Sequence, residues 1–133
     1  MILLATVWSV ALSGGATAET RAACRRGPAD AGARALARTE QTTAETFATD
    51  HDGFYTGLSR LALRRYEPSI PITPSQAQHE DDRAYASAAR AIEHGGGYIV
   101  RARTLSGHVY SVLKDRFGHI HTTADTCGRI ESW

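Results

Sequence analysis

The sequence predicts an α+β domain in which an N-terminal helix packs on a small antiparallel sheet of three to four strands. Small and apolar residues recur at three- and four-residue spacing between residues 28 and 50. From residue 97 onward, apolar and polar residues alternate in short runs separated by glycine-containing turns. The size agrees: 133 residues, 42% of them apolar, suit one globular domain and exclude a collagen-like or low-complexity chain. Fourteen arginines and Lys114 face fourteen acids, for a formal net charge of +1, so no excess charge draws nucleic acid.

Residues 1–18 read as a signal peptide or a short membrane segment. Residues 1–12 are apolar apart from Thr6 and Ser9, a run shorter than the roughly 18 to 20 residues that span a bilayer. Ser13-Gly14-Gly15 breaks it, and Ala16-Thr17-Ala18 offers small residues to a signal peptidase cutting between Ala18 and Glu19. No Lys or Arg precedes the apolar run, which points to a true start upstream of Met1; an uncleaved anchor and a piece of the fold stand as alternatives to the cleaved signal. Membrane contact is expected only through this segment. The rest, 19–133, reads as one domain: a leader at 19–27, a helix at 28–52, a short helix with a Pro-rich loop at 54–82, and a sheet region at 84–125.

Gly27-Pro28 opens the helix, because proline at the first helical position forfeits no hydrogen bond. Ala29, Ala33, Leu36, Ala37, Ala44, Phe47 and Ala48 form its packing stripe, with Arg34, Arg38 and Glu45 off it. Asp50-His51-Asp52-Gly53 ends it, Gly53 being able to adopt a left-handed cap. Ser59 caps a short helix through Leu61, Leu63 and Tyr66, which stops at Glu67-Pro68. Pro68, Pro71 and Pro74 mark an exposed loop to about Asp82. Residues 84–92 fit helix or strand equally. Gly95-Gly96-Gly97 reads as a flexible joint. Tyr98, Val100 and Ala102 then face the core with Arg101 and Arg103 opposite, and Tyr110 and Val112 mark a second strand. Asp115-Arg116-Phe117-Gly118 turns the chain into a third strand, His119 to Ala124.

Few residues suggest chemistry. His119 and His121 are two apart on a strand, at a spacing a metal can bridge, and His108 on the neighbouring strand is placed to join them. The competing reading makes these histidines the polar outer face of a half-buried sheet, with Ile120 and Thr122 turned inward. The acidic run His79-Glu80-Asp81-Asp82 lacks the register of a calcium loop and reads as solvated. Asp50-His51-Asp52 is explained by helix termination. No Gly-x-Ser-x-Gly elbow occurs, and Gly95-Gly96-Gly97 precedes a strand rather than a helix, the wrong context for phosphate. Arg60, Arg64 and Arg65 form one basic edge and Arg101 and Arg103 another. No catalytic residue, cofactor, bound metal or nucleic acid is expected. In an oxidising compartment the two cysteines, Cys24 and Cys127, permit a single intramolecular bond. Closing that loop of about 100 residues is worth on the order of 4 to 5 kcal/mol at most. Two free thiols are the alternative.

The stretch 44–55, AETFATDHDGFY, followed by Glu67-Pro68, is similar to a signature of type IV pilin-like secreted proteins of actinobacteria. Gly97-Tyr98, the run 106–112 (SGHVYSV), Gly118-His119-Ile120 and Thr126-Cys127 resemble the same family's C-terminal meander. The resemblance covers about residues 35–133, and its weight lies in order and spacing. It implies a pilin-head-like or pseudopilin-like fold and a non-enzymatic structural or interaction role outside the cell or on its surface. The implied partners are pilus or secretion-system subunits or another surface partner. The chain departs from a polymerising pilin in lacking a Gly-Phe-Thr-Leu-Ile-Glu-type cleavage site and an apolar helix of about 20 residues. The family's final cysteine often has a partner a few residues on; here residues 128–133 hold none, which leaves Cys24.

Overall fold

The computed structural model describes residues 27–78 and 83–133. The signal segment, the cleavage position at Ala18 and Glu19, Cys24 and the acidic run 79–82 lie outside the described residues.

Helix α1, Pro28–Thr49, starts where the sequence places it. Gly27 is its extended N-cap, and Asp30 accepts a 2.6 Å hydrogen bond from the Gly27 amide, one half of a capping box. Thr39, Thr42, Thr43, Thr46 and Thr49 each donate a hydroxyl hydrogen bond to the carbonyl four residues back, so a threonine-rich helix needs no outside partners for them. After Thr49 the chain turns through Asp52 and Gly53, both at positive φ, and the Gly53 amide closes on the Ala48 carbonyl at 2.8 Å.

Helix α2, Arg60–Tyr66, is capped by Ser59, whose hydroxyl accepts from the Ala62 amide at 3.0 Å. The proline-rich stretch is not the exposed loop expected. It contains a one-turn helix, α3, Pro74–Ala77, and buries Ile70 and Ala77. Arg64 donates to the Ile70 carbonyl and to Gln76 Oε1, while Arg60 donates to the Ile72 carbonyl. These two arginines hold the loop rather than forming a free basic edge.

The sheet has five strands rather than three to four: β1 Ala84–Ile92, β2 Gly97–Thr104, β3 Val109–Lys114, β4 Ile120–Thr126 and β5 Arg129–Glu131. Each pairs antiparallel with its neighbour in sequence, in the order β1-β2-β3-β4-β5. The ambiguous stretch at 84–92 is thus a strand, with a bulge between Ala86 and Ala88. β5 follows a tight turn through Cys127 and Gly128, both at positive φ. The glycine triplet is not a loose joint. Glu93, His94 and Gly95 run consecutively at φ 50, 57 and 85°, and a Cβ on Gly97 would lie 2.2 Å from the Lys114 carbonyl oxygen. Close backbone approach is what demands glycine there.

Helix α1 lies over β2, with β1 and β3 to either side. Ala33, Ala37, Ala44, Phe47 and Ala48 meet Ala86, Tyr98, Val100, Ala102, Tyr110 and Val112 in one core. Within it sits a group the periodicity did not show: Glu40 is fully buried, and neither carboxylate oxygen has a hydrogen-bond partner among the described residues. Burial pushes its carboxyl well above the usual range, with the Arg101 backbone amide opposing. Among the described residues no helix is long and apolar enough to cross a membrane.

A carboxyl raised by folding stays protonated where the unfolded chain has already ionised. Its contribution is therefore complete below the ordinary value of 4.5 and is lost as pH climbs from there toward the folded value. Glu40→Gln, neutral at every pH, is expected to stabilise the fold by about 1 kcal/mol or more at alkaline pH and by less in mild acid. Thermal melts across pH measure it; an equal effect throughout would show that ionisation plays no part.

Candidate functional site

Among the described residues three polar groupings stand out, and two of them lie between helix and sheet. At the start of α1, Asp30 is 3% exposed and its Oδ1 meets His108 Nδ1 at 2.6 Å and the Tyr110 hydroxyl at 2.7 Å. Burial alone would raise this carboxyl, but the Gly27 amide, Tyr110 and His108 together hold it below the usual carboxylate value. On the far side of the imidazole, His108 Nε2 lies 3.5 Å from Cys127 Sγ. Carboxylate, imidazole and sulfur thus stand in a row, the order found in thiol nucleophiles. Here the sulfur is committed, since Cys127 is disulfide-bonded; Cys24 is the chain's only other cysteine.

At the other end of α1, Glu45 receives Lys114 Nζ at 2.8 and 3.0 Å and the Tyr55 hydroxyl at 2.7 Å, with the Tyr98 hydroxyl at 3.3 Å. Partial desolvation raises its carboxyl, but the lysine and the two phenols more than reverse this and leave it lowered. Tyr98 is driven far up, by burial first and then by the Glu45 charge, so its hydroxyl stays protonated and donates. The sequence places Glu45 off the packing stripe. Its side chain instead reaches back under the helix end to β2 and β3.

The third grouping is on the surface. His119 Nδ1 and His121 Nε2 approach Asp115 Oδ2 at 3.1 and 3.5 Å. His108 does not join them. It alternates with Tyr110 and Val112, so it points at α1, whereas His121 occupies the opposite face of the sheet. The outer-face reading therefore describes His119 and His121 but not His108, and Ile120, expected inside, is 41% exposed beyond the end of the helix. Among the described residues no three His, Cys, Asp or Glu side chains are grouped to hold a metal. A pocket of about 200 Å³ between α1 (Leu36, Thr39) and the 69–71 segment has no titratable lining.

Sequence reasoning missed the Asp30 and Glu45 anchors. The available signal for the first was an acid two residues after Pro28, the capping position, which leaves one oxygen free for a second partner.

Asp30→Asn is expected to cost about 3 kcal/mol at neutral pH, because it leaves buried donors facing an amide. A lowered carboxyl stabilises above its unfolded value of 3.8 and loses that contribution as pH falls through the folded value, so the deficit should shrink in strong acid. Denaturant titration at two pH values measures this. After reduction, Cys127 is expected to alkylate about tenfold faster in mild acid than an ordinary thiol, with His108→Ala abolishing the excess; rates measured by mass spectrometry that match in both proteins would refute it.

No known protein family, curated protein or solved structure matches the chain, so its function is read from its own side chains.

Proposed function

We propose that the chain is an exported, pilin-like structural or surface-interaction domain with no catalytic activity of its own. The observation that carries this reading is how the charged groups between helix and sheet are used. Asp30 and Glu45 and their partners are all spent in fixing a 22-residue helix to an antiparallel meander, while among the described residues no helix lies over the other face of that sheet. Such a body displays a surface rather than a reaction centre. The apolar residues 1–12, the Ala16-Thr17-Ala18 site and the disulfide at Cys127 support export. The family resemblance supports pilus or secretion-system subunits as partners.

A second reading, a small secreted metal-binding or enzymatic module, draws on the convergence of His119 and His121 on Asp115. Stoichiometric zinc binding by calorimetry, lost in His119→Ala and His121→Ala, would favour it.

Fractionation of bacteria producing the full chain tests the proposal. The expected product is a protein in the medium or on the cell surface that begins at Glu19 and has no reactive thiol. A cytoplasmic chain that keeps Met1 and exposes two thiols would overturn it.

A further inference from the structure

The outer face of the sheet, turned away from α1, is exposed at Arg101, Arg103, Thr123, Asp125 and Ile130, while Ile99 and Ser111 on it are buried. Its side chains follow from the strand registers. One row runs Tyr85, Arg103, Val109, Asp125, Ile130 across β1 to β5; the next runs Ala88, Arg101, Ser111, Thr123; a third runs Arg90, Ile99, Leu113, His121. Arginines thus occupy one side of the face, Asp125 the other, and the central column on β3 is Val109, Ser111 and Leu113. Arg101, Arg103 and Asp125 form no ion pair among the described residues. A depression of about 270 Å³ lies between the two sides, bounded by Arg101, Val109, Ser111, Thr123, Asp125 and Ile130. Ile130 is 73% exposed.

The first row is complementary to its own reverse. A two-fold axis lying along β3 in the plane of contact sets β2 of one copy over β4 of the other, and β1 over β5. Arg103 then faces the partner's Asp125, Tyr85 faces the partner's Ile130, and Val109 meets the partner's Val109. A two-fold axis running across the strands instead would set Arg101 against the partner's Arg101. We infer that this face is a homodimer interface in which two copies stack sheet to sheet about an axis along β3, held by two symmetry-related Arg103–Asp125 pairs flanking the column Val109, Ser111 and Leu113. Sheets packing this way lie about 10 Å apart, and an isologous contact of this kind closes on itself rather than growing. Five strands about 4.8 Å apart and about 20 Å long bury on the order of 1,000 Å² over both copies, the lower bound for a specific interface. A contact at that lower bound falls in the weak, transient class of interface. It goes beyond the proposed export and does not depend on it.

Sedimentation equilibrium on the full chain, purified with its disulfide intact, tests this. Wild type should dimerise, more weakly at high salt. Arg103→Glu and Asp125→Arg should each weaken the dimer at least about tenfold by opposing like charges. The double variant R103E/D125R should recover it, and mixing the two single variants should produce a heterodimer. Both positions lie on the exposed outer sheet face, and circular dichroism checks that each variant folds. A monomer at all concentrations, a dimer indifferent to the swaps, or a double variant no better than the singles would overturn the inference. Indifference to the swaps would instead point to association through the apolar N-terminal segment.

Discussion

Everything in this fold depends on two charged hydrogen-bond clusters that pin the ends of α1 to the sheet. The helix face between them is made largely of alanine, which permits close approach but removes little apolar area per residue; a buried methyl is worth under about 1 kcal/mol. Alanine against alanine also has little shape by which to choose one helix position over another. Asp30 on His108 and Tyr110, and Glu45 on Lys114, Tyr55 and Tyr98, supply that choice. Charged hydrogen bonds contribute about 1.5 to 3 kcal/mol each when buried, as at Asp30, and less at Glu45, whose side chain is 41% exposed to screening solvent. The two lie just over four turns apart, so together they fix both the rotation and the axial position of the helix.

Glu40 sits between these clusters and has no comparable support. It faces the stretch of β2 opposite the bulge in β1, where the regular ladder is interrupted. The Arg101 amide is the neighbour that tempers its desolvation. The helix–sheet interface thus has two satisfied ends and an unsatisfied centre. Its polar character is an internal matter, separate from the arginines and Asp125 on the outer surface.

Much of this was legible in the sequence because it rests on local rules. Pro28 after Gly27, Ser59 before a short helix, and the alternation from Tyr98 to Ala102 each report one element directly. What escaped depends on partners distant in the chain. Glu40, Glu45 and Asp30 are acids, and polarity alone places acids outside. Only a lysine 69 residues away and a histidine 78 residues away explain two of these positions. His108 escaped for a simpler reason. Residue type groups it with His119 and His121, whereas strand parity groups it with Tyr110. The fifth strand, three residues long, gives no periodic signal, and a proline-rich stretch hid Ile70 and Ala77 because prolines argue for a loop without saying whether it packs. The site was therefore less legible than the fold.

The strictly sequential order of the strands also sets where the entropy of chain closure falls. Each strand pairs with the next across a turn of a few residues, so each ladder closes a short loop, and loop entropy grows only slowly from there. Docking α1 is different: its first anchor joins residues 78 apart in sequence. A meander is topologically local, whereas a helix returning to cover it is not. Most of the long-range ordering cost of this small domain is thereby concentrated in a single event, the settling of one helix onto a sheet whose strands are already neighbours along the chain.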